Sequence, residues 1–109
     1  MKPFRIGAGW RIVFNKLEDI EPDQIVSDDK EWGFLFVEDI TYMVKEVTYK
    51  ENKQTIKHTI AIDLGWYPDG DPGGNYRLVT ILDDNWENPV LTVETRSIQE
   101  IVDTMELWM

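Results

Sequence analysis

The chain has no cysteine, a single histidine, and only Ser27 and Ser97 as serines. The missing cysteine removes disulfides, thiolate nucleophiles and cysteine-based metal sites together, and fits a reducing compartment. His58 has no second histidine to join it, so it reads as a structural residue rather than a ligand. Ser97 is needed as a helix cap, and Ser27 lies in an acidic stretch that would not activate it, which excludes nucleophilic serine chemistry. Basic residues are also scarce: 11 Lys and Arg face 21 Asp and Glu, a net charge of −10. Attraction for nucleic acid or an anionic membrane therefore points the wrong way. No apolar run approaches the roughly 18 residues that span a bilayer, and the basic start Met1–Trp10 has no signal-peptide core. The expected location is the cytoplasm.

Hydrophobic residues make up 42% of the chain and aromatics 12%, with five Trp. That is the composition of a globular protein rather than a disordered one. Residues 1–109 are expected to form one domain, large enough to bury about 65% of its unfolded surface without staples. No repeat, low-complexity tract or linker divides them.

Trp10 to Phe14 is rich in β-branched and aromatic residues and predicts a strand with Trp10, Ile12 and Phe14 on one face. Asn15 to Lys30 reads as acidic loop, with at most a short helical turn. Trp32 to Val37 predicts a strand, interrupted by Glu38-Asp39, and Ile40 to Tyr49 predicts another. In that second segment Ile40, Tyr42 and Val44 share one parity while Met43, Val47 and Tyr49 share the other, which suggests a bulge or twist rather than one flat strand. A helix over Glu38 to Lys45 is the rival. From Ile56 to Trp66, apolar and polar residues alternate for eleven positions, a strong strand signal that makes a hairpin with Val44 to Lys50. Pro68 to Asn75 is a loop dense in Gly, Pro and Asp. Tyr76 to Leu82 and Pro89 to Thr95 are the last strands, joined by Asp83-Asp84-Asn85. Ser97-Ile98-Gln99-Glu100 fits a capping box, in which Ser97 caps and Glu100 reaches back. Ile98, Ile101, Val102, Met105 and Trp108 then form one helical stripe. The order predicts an α+β fold: a five- or six-stranded, mainly antiparallel sheet with a C-terminal helix packed on one face.

Few of the carboxylates form a recognisable site. Asp69-Gly70-Asp71 with Asn75 has some of the look of a calcium loop, but the fifth and twelfth positions are Gly73 and Thr80 and the flanks read as strands. Turn chemistry explains the segment, and no metal is assigned. The glycines at 7 and 9, and at 70, 73 and 74, lack the spacing and surroundings of a phosphate cradle. Asp63 stands inside a strand; if buried, it needs a partner such as Arg77 or Arg96. Trp10, Trp66 and Trp108 fall on apolar faces and read as core. Trp32 and Trp86 are framed by carboxylates, either tucked under their turns or offered to a partner, since binding hot spots favour Trp. Glu18–Asp23, Asp28–Glu31, Asp69–Asp71 and Asp83–Glu87 place acidic clusters in predicted loops, enough for a negative field of several kT.

Asp63-Leu64-Gly65-Trp66-Tyr67-Pro68, followed by Asp71-Pro72-Gly73 and Tyr76-Arg77-Leu78, resembles the small immunity proteins of bacterial polymorphic toxin systems. Trp10 and Asn15, Glu38-Asp39-Ile40, Trp86 before Pro89, and Thr95-Arg96-Ser97 extend the resemblance over most of the chain. It implies a small, acidic, cytoplasmic, non-catalytic protein that binds a cognate toxin domain, often a basic nuclease, and blocks its active site. It carries no catalytic residue and no cofactor. The expected partner contacts are Asp69, Asp71, Asp83, Asp84, Trp86 and Glu87. The two groups belong to turns at opposite ends of the strand Tyr76 to Leu82, so one partner need touch only one of them. The alternatives are a small carboxylate-dependent enzyme or a metal- or carbohydrate-binding domain, and a homo-oligomeric scaffold.

Overall fold

The computed structural model describes residues 7–18, 21–22 and 36–109. Five strands form one antiparallel sheet in the order β1-β2-β3-β4-β5: β1 Arg11–Asn15, β2 Thr41–Glu51, β3 Gln54–Tyr67, β4 Asn75–Leu82 and β5 Leu91–Thr95. Each strand pairs with its predecessor in the chain, and the helix Ile98–Trp108 follows the last. The fold is α+β. The predicted strand over 32–37 lies mostly outside the described residues; Phe36 and Val37 are in no assigned strand.

The strand expected over Ile40 to Tyr49 is present as β2, and the rival helix over Glu38 to Lys45 does not form. β2 pairs with β3 without a slip from Thr41 to Glu51, so its mixed parity is not a bulge. Instead both faces of β2 are apolar at the sheet centre. Met43 joins the main core, and Tyr42 and Val44 pack on a second cluster. The ladder is irregular just before the strand: Ile40 N–H donates to Leu64 O and Trp66 N–H to Val37 O, and Glu38-Asp39 lies between. The carbonyl of Glu38 comes so close to Gly65 that no Cβ fits there.

The bulge falls in β1 instead. Ile12 opposes Met43, whereas Phe14 opposes Tyr42, with a register shift between them. Ile12 and Phe14 therefore oppose residues on different faces of β2, contrary to the alternation expected from sequence, because one extra residue inverts every later side chain.

The main core gathers Met43, Ile62, Leu64, Trp66, Tyr76 and Leu78 from the sheet with Ile98, Ile101, Val102 and Met105 from the helix. Trp66 packs at a tilt against Phe36, ring centroids 4.7 Å apart, and meets Tyr76 edge-on at 5.0 Å. Full burial of side chains of this size contributes about 1.5–3 kcal/mol each. Trp10 and Trp108 are only partly buried against this core. The second face holds a smaller cluster of Ala61, Val79 and Ile81.

Local chemistry sets the connections. Asn52 and Lys53 both have positive φ, as a two-residue type I′ hairpin requires. Asp83 and Asp84 repeat that geometry, and Asn85 N–H closes the turn on Leu82 O. Ser97 caps the helix by accepting from Glu100 N–H. The reciprocal half of the capping box is absent. Glu100 instead accepts the Thr95 hydroxyl proton, and Ser97 N–H donates to Thr95 Oγ1. Glu21 Oε1 accepts from Gln99 N–H, satisfying another first-turn donor.

Candidate functional site

The β4–β5 loop follows directly from the Asp83-Asp84 turn. Asp83 is committed to the sheet: its carboxylate accepts from Thr59 N–H at 2.9 Å and lies 2.7 Å from His58 Nδ1. Those bonds hold its carboxyl below the usual range, the backbone donor being the larger cause. His58 also lies 3.3 Å from the Tyr49 hydroxyl, stacked on that ring. The lone histidine thus anchors the loop to the hairpin.

The loop then turns Trp86 onto the second sheet face. Its ring lies 6.2 Å from Tyr42, and Tyr42 lies 6.1 Å from Phe14, a row of three aromatics tilted by about 30° at each step. Trp86 remains 48% exposed, so it neither tucks under its own turn nor completes a core. Burial, followed by Asp84 and Asp63, raises the Tyr42 hydroxyl pKa, and Arg11 opposes them. Asp84 therefore acts on the same aromatic that Trp86 covers.

Asp63 faces Tyr42 across the β2–β3 ladder and Val79 across β3–β4. Burial pushes its carboxyl up to about 6, Asp39 pushes the same way, and Arg77 opposes. Arg77 is the expected counter-charge, although it is shared with Glu94 at 3.9 Å. The other arginine considered, Arg96, is used elsewhere. Its guanidinium donates to the carbonyls of Pro72 and Gly74 and lies 5.2 Å over Trp66. Tyr67 stands at the same end as Asp63, its hydroxyl pKa raised by burial first and then by Asp63, Glu38 and Asp39.

Asp69 and Asp71 sit in the opposite loop. Asp69 accepts from Glu38 N–H, and Asp71 accepts from Gly73 N–H while its carbonyl accepts the Trp66 indole proton. Both shape the loop, as turn aspartates do. The six expected contacts are thus divided: Asp83, Asp84, Trp86 and Glu87 share one loop, and Asp69 and Asp71 do not join them. Sequence reasoning missed Phe14, Tyr42 and Asp39. The signal for Tyr42 was the double parity of β2; Phe14 was hidden by the bulge.

A hollow of about 310 Å³ opens beside this face, lined by Gly9, Arg11, Val44, Glu46 and Thr59. Among the described residues no cluster of three metal-ligating side chains occurs, and no helix is long and apolar enough to cross a membrane. No known protein family, curated protein or solved structure matches the chain.

Proposed function

We propose that this chain is a non-catalytic immunity protein, a stoichiometric inhibitor that binds and neutralises a basic, nuclease-like toxin domain in the bacterial cytoplasm. The carrying observation is the half-exposed Trp86, tilted against Tyr42 at 6.2 Å, with Asp84 and Asp63 acting on that tyrosine. A large aromatic left in water on a chain of net charge −10 suits a hot spot ringed by complementary charge. In this reading the C-terminal helix closes one sheet face as core, which leaves the other for the partner. The carboxylates steer the basic toxin in, and the aromatic row supplies the apolar contact.

The test is a tagged pull-down from the native host's lysate, washed at low and then high salt, with mass-spectrometric identification. Expected is one basic partner, retained by the wild type and lost from Trp86→Ala. A preparation that retains no protein from a host shown to express toxin domains would reject the reading.

A carboxylate-dependent enzyme is the second reading, because Asp63 has the raised carboxyl such chemistry uses. Against it, Asp63 does not line the hollow beside the site. Melting temperature in a screen of divalent metals separates the two, since stabilisation by one ion alone would favour the enzyme.

A further inference from the structure

We infer that the second sheet face is a receptor for an arginine side chain, whose guanidinium would stack on the Trp86–Tyr42 pair and bond to Asp84 and Asp63. This deepens the inhibitor reading by naming the partner's anchoring chemistry, and it rests on that reading for its biological setting. Three observations carry it.

First, the aromatic surface is prepared and part open at Trp86. Tyr42 is flanked by Phe14, over which Lys16 already sits at 5.5 Å, and by Trp86, which is 48% exposed. A flat cation gains most over a Trp face, particularly one partly removed from water. Second, the carboxylates are short of positive charge. Asp63 opposes Tyr42 in register, Asp39 is close enough to oppose its ionisation, and its counter-ion Arg77 also faces Glu94. Arg11 is the cation acting on Tyr42, and it borders the hollow that Glu46 lines. Third, the molecule already recognises one arginine this way. Arg96 lies over the Trp66 ring while one guanidinium nitrogen, Nη1, donates to two carbonyl oxygens of the neighbouring loop. The second face offers the same combination, aromatic plane and oxygen acceptors, with charged acceptors in place of neutral ones.

Arginine is favoured over lysine because a guanidinium is planar, weakly hydrated and able to bond a carboxylate through two nitrogens at once. An ammonium would meet the same negative field without the stacking or the fork.

The experiment uses the full chain with two blocked peptides, hexa-arginine and hexalysine, titrated at low salt and followed by the indole N–H resonances. Expected is at least threefold tighter binding of the arginine peptide, with the Trp86 indole signal moving most. Trp86→Ala should weaken it about tenfold and Asp63→Asn about fivefold. Glu51→Gln, which removes the same charge at the hairpin tip, should change it less than twofold. Equal affinity for both peptides, or equal losses in Asp63→Asn and Glu51→Gln, would overturn the site by showing diffuse acidity alone. Absence of binding would overturn it as well. If the lysate yields a basic partner but the peptides show no selectivity, the inhibitor reading stands and this site falls. Arginine selectivity with no partner in the lysate would keep the site and reject the inhibitor reading.

Discussion

Replacing Asp63 by Asn should make the protein more stable at neutral pH. Asp63 is half-buried on the second face, and its carboxyl is pushed from 3.8 to about 6 by burial first and Asp39 second, against Arg77. A raised carboxyl means the folded state holds the proton more tightly than the unfolded chain. Between about pH 4 and 6 the folded state therefore binds more protons, and stability falls as pH rises through that window. Unscreened, a displacement of this size corresponds to about 3 kcal/mol. Solvent reaches the group, which reduces the figure to about 1–2 kcal/mol. Asn keeps the shape and removes the charge. Urea melts of both proteins from pH 4 to 8 should give curves that meet near pH 4 and separate by about 1–2 kcal/mol above pH 7. The corresponding rise in Tm is about 5–10 °C. A variant less stable than wild type at pH 8 would refute the reasoning, because pairing with Arg77 would then outweigh burial. A gap of the same size at pH 4 and pH 8 would refute it too.

Gly65→Ala should cost about 3 kcal/mol, since its Cβ would collide with the Glu38 carbonyl and the Tyr67 ring; a thermal melt reads this directly. Arg96→Ala removes two hydrogen bonds to loop carbonyls and the contact with Trp66, for an expected loss of about 2–3 kcal/mol and faster proteolysis within Pro68–Gly74. Ser97→Ala should cost about 1 kcal/mol in urea unfolding, while Ser97→Asp should keep most of the cap. Trp86→Ala should change stability by less than about 1 kcal/mol, because half the ring is already in water, so any larger effect on partner affinity reports contact rather than folding.

Hydrophobic periodicity made most of the fold legible. The alternation from Ile56 to Trp66 became β3, its expected hairpin with Val44 to Lys50 became the β2–β3 pair, and the Ile98–Met105 stripe became the helix's buried side. Its failures come from backbone events that leave no trace in composition. The bulge between Ile12 and Phe14 moves Phe14 to the face of Tyr42. A strand buried on both faces looks, in β2, like a strand out of phase. The acidic segments Asp69–Asp71 and Asp83–Glu87 were legible as loops, but not the fate of their carboxylates, and Asp28–Glu31 lies outside the described residues. Asp71 accepts from the backbone of its own turn, and Asp69 and Asp83 accept from the distant backbone N–H groups of Glu38 and Thr59, whereas Asp63, inside a strand, is left under-compensated. Turn-forming aspartates and partner-binding aspartates have the same letters; only the N–H groups around them tell them apart.

The pairing of every strand with its predecessor has a kinetic consequence. The two-residue turn at Asn52-Lys53 lets β2 and β3 zip together within microseconds, before any distant segment is needed. β4 and β5 can then add one at a time, each closing only a short loop, whereas β1 must close the long connection from Asn15 to Thr41 before it pairs with β2. The apolar stripe of the helix comes last in this order. During synthesis, Met43, Ile62, Leu64 and Leu78 therefore wait without their helical neighbours until Met105 has emerged, and the growing chain is most exposed to aggregation in that interval.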